Sequence, residues 1–305
     1  MLRFFLVAVV GMVAQFVDGS MGMGYGTTAA SVLIAAGFLP ALVSASVHTA
    51  ETFTTLASGV SHIKLGNVDR GIVLPLALSG ILGGVAGAYL LASLVSGKDV
   101  RLLMAVILLL LGLSLLLRAW RNRVSYSLAG RSGPLARMLL WPLRLAAGAV
   151  DAIGGGGWGP IAAASLMTGR QTEPRLIVGS VNVAEFFVSL AITLTFGLTL
   201  GFQNFLWHVT IPLIIGGVLV APVAALVSRR VSPKLLMAAV GGLLVLLNGK
   251  TAFQSLAPVV GFNLPAYLDV LLITLVAGLA AALVIGWVYR GRRASPRRLE
   301  ISAGD

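Results

Sequence analysis

Two glycine-rich clusters interrupt the apolar sequence of this chain and limit what it can fold into. The first is DGSMGMGYG at residues 18–26, and the second is DAIGGGGWG at residues 151–159. Each cluster lies between apolar runs shorter than the roughly 20 residues that a bilayer-spanning helix needs. Because glycine costs about 1 kcal/mol per residue inside a helix, we expect the helix to break at membrane depth in both places. Such breaks are typical of substrate sites in transporters.

The composition predicts an all-α polytopic membrane protein in contact with the lipid bilayer. Hydrophobic residues make up 58% of the 305 residues and charged residues 10%, and the mean hydropathy is +0.98, outside the range of soluble globular domains. The net charge of +12 does not indicate a nucleic-acid partner, because the basic residues lie in short clusters between apolar runs. The absence of cysteine excludes thiolate chemistry, and we expect no cofactor and no metal.

The basic residues predict which loops face the cytoplasm. The positive-inside rule places the basic clusters at 118–144 and 290–298 on the cytoplasmic side. If each glycine cluster is the tip of a hairpin that returns to its own side, all but four of the 22 Lys and Arg residues also lie there. A single crossing at the second cluster would need a further break to keep both 229–234 and the C-terminal tail cytoplasmic. The hairpin arrangement is therefore favoured.

Each hairpin with the three spans after it forms a unit, and two units that enter the membrane from opposite sides make an inverted repeat. The sequence supports the duplication, since SVHTAETF at 46–53 aligns with SVNVAEFF at 180–187 and the two glycine clusters align in nearly the same register. The predicted organisation is repeat unit 1 at 1–118, a basic cytoplasmic loop at 119–137, repeat unit 2 at 138–250, a loop and a final transmembrane helix at 251–289, and a basic cytoplasmic tail at 290–305.

The glycine clusters predict an anion-binding site. A second short helix is expected to begin at about Tyr25 and at about Trp158, and its first turn offers unpaired N–H groups and the positive end of the helix dipole. Glycine allows an anion to approach those groups closely. The alternative, that the glycines only allow close helix packing, stays open. The predicted substrate-binding residues here are Gly22, Gly24, Tyr25, Gly26, Gly155, Gly157, Trp158 and Gly159.

Four acidic residues fall within the predicted membrane segments: Asp18, Glu51, Asp151 and Glu185. A carboxylate at the bilayer centre costs at least about 2.5 to 3.5 kcal/mol, and no Lys or Arg lies in a predicted span near them. Each must therefore be protonated, bind a cation or accept hydrogen bonds. Asp18 and Asp151 could equally serve as caps for the backbone at the breaks, whereas the two glutamates lie in the middle of apolar runs.

A histidine or an amide precedes each glutamate by three residues. His48 shares a helical face with Glu51, and Asn182 shares one with Glu185. A His–Glu pair can pass a proton near neutral pH, so we assign Glu51, Glu185, His48, Asp18 and Asp151 to proton coupling. Asn182 does not titrate, which makes any relay asymmetric. Asn182 and the matched pair Ser46 and Ser180 complete the candidate substrate-binding residues; structural hydrogen bonds between helices remain the alternative.

These motifs resemble the sulfite exporter TauE/SafE family of bacterial membrane proteins. The resemblance covers residues 4–250 and is most specific in SVHTAETFTTLASGVSHIKLGNVD at 46–69. It implies transport of small sulfur-containing anions, such as sulfite or organosulfonates, powered by the proton gradient across the bacterial inner membrane. It also implies that the paired glycines line the site, with Ser46, His48, Glu51 and their counterparts beside it. Met23 stands where the second cluster has Gly156, so the two halves need not contact substrate equally.

The function that the sequence favours is a secondary active transporter of a small anion, not an enzyme. An intramembrane peptidase would need a Ser/His pair or two adjacent aspartates in defined motifs, and Asp18 with Asp151 is the single conceivable dyad. Coupling to Na⁺ instead of H⁺, transport of a cation and a passive channel stay open, as does a homodimer.

Overall fold

The computed structural model describes residues 1–94, 97–120, 134–159, 162, 174–228 and 233–260. Most of the predicted basic loop, most of the short helix after Trp158, the final predicted transmembrane helix and the tail lie outside these residues. The described residues contain nine α-helices and no β-strand. The helices are α1 Leu2–Met21, α2 Tyr25–Ala35, α3 Pro40–Lys64, α4 Arg70–Leu94, α5 Gly97–Trp120, α6 Pro134–Gly154, α7 Pro174–Phe196, α8 Trp207–Val227 and α9 Pro233–Val260.

Six of the described helices are long and apolar enough to cross a membrane, which confirms the polytopic all-α prediction. Their membrane-compatible segments are Leu2–Met21, Arg70–Ser93, Val100–Trp120, Arg175–Asn204, Trp207–Val227 and Lys234–Leu256. The 25-residue α3 is not among them, because polar side chains interrupt its apolar sequence. Most of those polar side chains are nevertheless buried inside the protein, so α3 carries polar chemistry into the core.

The helix breaks are shorter than the sequence predicts. α1 continues through Asp18 to Met21, which makes it 20 residues long, and the chain leaves the helix at Gly22 with φ of 71°. Gly24 has φ of 116°, and this left-handed region is disfavoured for residues with a Cβ. α2 then begins at Tyr25 as predicted and has only 11 residues, too few to span a bilayer. Asp18 therefore lies in the last turn of α1.

The helices pack in pairs that join the two predicted units. α1 packs on α8, α4 packs on α6, and α5 packs on α9. Small residues allow two of these contacts, because a Cβ at Gly216 would overlap the carbonyl of Ala8 and a Cβ at Gly83 would overlap the carbonyl of Leu145. α3 and α7 pack on each other and on α8 and α4, respectively. This arrangement brings the polar segments of α3 and α7 next to the two helix breaks.

Candidate transport site

The two glycine breaks touch each other through their backbones. A Cβ at Gly26 would lie 2.5 Å from the carbonyl oxygen of Gly155, and a Cβ at Gly159 would lie 2.8 Å from Cα of Met23. Tyr25, which begins α2, and Trp158 of the second break are fully buried. Glycine thus allows the two breaks to pack closely, which is the role that the alternative to an anion-binding site assigns to these residues. This conformation leaves no room for an anion between Gly26 and Gly155.

The four predicted carboxylates are all buried around these breaks. Their exposed fractions are 0% for Asp18, 1% for Glu51, 2% for Asp151 and 3% for Glu185. The charge on Glu185 interacts with the charges on the other three, so the four groups form one cluster contributed by α1, α3, α6 and α7. Among the described residues, His48 is the only basic side chain that pairs with them.

His48 links α3 to the second break. Its Nδ1 lies 2.8 Å from the carbonyl oxygen of Ser44, and its Nε2 lies 3.3 Å from Oδ2 of Asp151 and 3.9 Å from Oε2 of Glu51. Because a carbonyl only accepts, Nδ1 carries a hydrogen, and Nε2 of a neutral ring would direct a lone pair at two carboxylates. A hydrogen bond between Nε2 and Oδ2 of Asp151 therefore needs a hydrogen on one of these two atoms. The facing atoms of His48, Glu51 and Asp151 lie within 4.8 Å of one another, which would also admit a small cation.

The carboxylates face the same backbone donors that the sequence assigns to an anion. Oδ1 of Asp151 accepts a hydrogen bond of 3.0 Å from the backbone N–H of Trp158. Glu51 faces the backbone N–H of Gly26. Asp18 faces the backbone N–H of Tyr25 without forming a hydrogen bond, and both of its oxygens are buried without partners. Backbone N–H groups at both breaks thus point at carboxylates of the protein itself.

Asn182 occupies the position beside the first break that His48 occupies beside the second break. Its Nδ2 donates to the carbonyl of Val178 at 3.2 Å and lies 3.5 Å from the carbonyl oxygen of Asp18. Its Oδ1 is buried and has no hydrogen-bond partner, as is true of Oε2 of the neighbouring Glu185. The two residues therefore lie at equivalent places in the fold, and they differ because histidine can titrate and asparagine cannot.

The matched serines bind backbone groups at the beginnings of α4 and α8. Oγ of Ser46 accepts from the backbone N–H of Leu206 at 2.9 Å. Oγ of Ser180 accepts from the N–H of Asp69 at 2.8 Å and donates to its carbonyl at 3.2 Å. Leu206 and Asp69 immediately precede α8 and α4. Each serine thus contacts the other predicted unit, and a role in substrate binding remains a prediction.

Several buried polar residues of the core were not predicted from the sequence. Gln15 on α1 and Ser58 on α3 are completely buried, and neither the amide atoms of Gln15 nor Oγ of Ser58 has a hydrogen-bond partner. Buried polar atoms without partners are rare and require an explanation. Ser58 could have been found from its spacing to Glu51, whereas Gln15 gives no signal because its importance depends on a residue of another helix.

Comparison with known proteins identifies the family. The model of the family Sulfite exporter TauE/SafE matches residues 7–251. The chain belongs to the TauE/SafE sulfite exporter family. A relative in this comparison is the Probable membrane transporter protein YtnM of Bacillus subtilis (strain 168), which is 40% identical over 251 residues that cover 82% of this chain and 83% of the relative. No solved structure matches the chain.

Membership in the TauE/SafE family confirms that this protein is a membrane transporter and not an enzyme. The region that matches the family, residues 7–251, contains both glycine breaks, His48 and all four buried carboxylates. The cluster around the breaks is therefore part of the TauE/SafE transporter body.

Proposed function

We propose that this TauE/SafE protein is a secondary active transporter that moves a small anion, sulfite or an organosulfonate, together with protons. The observation that carries the proposal is the group of four buried carboxylates around the two glycine breaks, where His48 is the only basic partner among the described residues. The family description names sulfite, and the same backbone donors suit other small sulfur oxyanions.

The coupling follows from competition for the same hydrogen-bond donors. While the carboxylates are ionised, they repel an anion and hold donors such as the N–H of Trp158. Protonation removes their charge and weakens those hydrogen bonds, so the N–H groups at the breaks become available to the substrate. The hairpins must also separate, since Gly26 and Gly155 are in contact in this conformation. Anion and protons therefore bind in the same step.

Alternating access would arise from the two predicted units acting as an inverted repeat in the bacterial inner membrane, with the C-terminus cytoplasmic. Three features support this arrangement. The pairing of α1 with α8 has its counterpart in the pairing of α6 with α4, the two breaks meet at Gly26 and Gly155, and Ser46 and Ser180 form equivalent contacts with the opposite unit. Rocking of one unit on the other would expose the breaks to each side in turn.

The proposal predicts that Glu51→Gln and Glu185→Gln abolish proton-driven accumulation while the protein still folds. Glutamine keeps the shape and polarity of the side chain but cannot exchange a proton. The measurement is uptake of radiolabelled sulfite into proteoliposomes with an imposed pH gradient, after a thermal-shift screen with sulfite, sulfate, thiosulfate and sulfonates has shown which anions stabilise the protein. Full pH-dependent uptake by both variants would exclude coupling through the glutamates.

Coupling to Na⁺ is the second candidate, because the facing atoms of His48, Glu51 and Asp151 are close enough for a small cation. Replacement of Na⁺ by choline at constant pH separates Na⁺ coupling from proton coupling. Uptake that falls without Na⁺ favours Na⁺ coupling, and uptake that responds only to the pH gradient favours proton coupling. A passive channel would give neither saturation nor accumulation against a gradient.

A further inference from the structure

Buried polar side chains form a stripe along the whole of α3. The stripe residues are Ser44, His48, Glu51, Thr55, Ser58 and His62, at alternating spacings of four and three, and each is at most 1% exposed. This spacing places them on one face of the helix. At 1.5 Å per residue the stripe is about 27 Å long, close to the roughly 30 Å thickness of the hydrocarbon core. A polar face thus crosses the interior of the protein.

The stripe is connected at the Pro40 end of α3. Ser44 Oγ lies 3.2 Å from Nδ1 of His48, whose Nε2 reaches Asp151 and Glu51. A cavity of about 430 Å³ is lined by residues 39–42 and so begins within one turn of Ser44. The carboxylate cluster therefore has polar neighbours leading to this end of the helix.

Gln15 and Ser58 place unpartnered polar atoms between Glu51 and His62. A Cβ at Gly19 of α1 would lie 3.2 Å from Nε2 of Gln15, 3.3 Å from Oγ of Ser58 and 2.7 Å from Cβ of Ala224, so the two polar side chains face the same place, and Ala224 closes it on one side. Neither has a hydrogen-bond partner. Buried water typically forms about two to four hydrogen bonds with such groups, and Nε2 and Oγ would supply two of them. His62 follows, with Nε2 donating to the carbonyl of Gly19 at 2.9 Å.

We propose that Gln15 and Ser58 bind water that passes protons between the carboxylate cluster and the Lys64 end of α3. The proposal rests on the proton coupling proposed above and adds the route. Glutamine and serine each donate and accept hydrogen bonds, as a relay through water requires. The titratable groups that interact with Glu51 or with its partners are Asp18 from α1, Tyr25 from α2, His48 from α3, Asp151 from α6 and Glu185 from α7.

The equivalent helix α7 lacks this route. The alignment places Asn182, Glu185 and Ser189 opposite the middle of the stripe, but Ile192 stands in place of Ser58 and Phe196 in place of His62. Both apolar residues are completely buried. Because α7 runs antiparallel to α3, with Gly179 against His62, these apolar residues lie toward the Pro40 end of α3. The route toward the Lys64 end therefore has no counterpart on α7, and α7 shows that an apolar residue can occupy the position equivalent to Ser58 in this fold.

The test compares two transport modes in proteoliposomes with radiolabelled sulfite. Accumulation driven by a pH gradient needs net proton movement, whereas counterflow against unlabelled sulfite does not. We expect Gln15→Leu and Ser58→Val to lower gradient-driven accumulation about 100-fold, the lower end of the contribution of a positioned proton-transfer group, with counterflow unchanged. Ser79→Val on α4 is the matched control, because its hydroxyl is buried but fully bonded to the carbonyls of Pro75 and Leu76.

Thermal unfolding separates this route from a structural role. The amide of Gln15 bonds no protein atom, so a role through water leaves the unfolding temperature of Gln15→Leu close to that of the wild type, whereas a structural role would lower it. Gradient-driven accumulation that survives in both variants would overturn the proposal. Loss of counterflow in a folded variant would also overturn it, since the residue would then act on sulfite. Failure of the proposed function is a separate result: it would appear as full coupling in Glu51→Gln and Glu185→Gln, whatever Gln15→Leu and Ser58→Val do.

Discussion

At the scale of single residues, the sequence shows which groups carry chemistry but not which groups meet. Glu51 and His48 could be paired from their spacing on one helix. The contact between His48 and Asp151 could not, because 103 residues separate them and the contact depends on how α3 meets the second break. Gln15 was missed for the same reason, as a lone glutamine in an apolar run becomes informative only beside Ser58.

His48→Asn tests the contact between α3 and the second break. Asparagine is the residue at the equivalent position 182, but it is too short to reach both the carbonyl of Ser44 and Asp151. We expect a destabilisation of about 1.5 to 3 kcal/mol, the usual value of a hydrogen bond to a charged group, and a lower unfolding temperature in detergent. An unfolding temperature equal to that of the wild type would show that the contact does not hold the break.

At the scale of helices, the positions of the breaks were predictable from glycine, whereas their lengths were not. α1 continues four residues into the first cluster because Asp18, Gly19, Ser20 and Met21 all stay helical, and the helix ends only at the left-handed Gly22. The close contact between the breaks was also outside the reach of sequence, since it requires both hairpins to be placed in space.

Gly26→Ala tests that contact. The new methyl would lie 2.5 Å from the carbonyl oxygen of Gly155, and overpacking of this kind costs typically about 1 to 3 kcal/mol. We expect a lower unfolding temperature and reduced sulfite transport. The control is Gly242→Ala on α9, where the added Cβ would have no atom within 4 Å and alanine favours the helix. Equal behaviour of the two variants would argue against tight packing of the breaks.

At the scale of the whole molecule, the all-α membrane class follows directly from the apolar runs, and the described helices and the family confirm it. The packing of helices from one predicted unit on helices from the other, α1 on α8 and α4 on α6, could not be derived from sequence, because apolar membrane helices can pair in several ways and the sequence does not say which faces meet. The inverted repeat remains a prediction that depends on which side of the membrane each loop faces.

The absence of cysteine allows that topology to be tested with single-cysteine variants. In intact cells, we expect a membrane-impermeant thiol reagent to label Gln254→Cys in the last two turns of α9 but not Lys64→Cys at the end of α3, both of which are exposed positions. Permeabilised cells provide the control, as both should then react. Labelling of Lys64→Cys in intact cells, or protection of Gln254→Cys, would contradict opposite orientations of the units.

The central claim is that sulfite and protons move together through the buried carboxylate cluster. The most direct measurement records the pH inside proteoliposomes while radiolabelled sulfite flows in, with the membrane potential clamped and protein-free liposomes used to subtract the acid–base chemistry of sulfite itself. The account predicts that the lumen acidifies in proportion to sulfite entry, and that Glu51→Gln and Glu185→Gln abolish this acidification. Sulfite entry through the wild-type protein without any protein-dependent proton flux would contradict it.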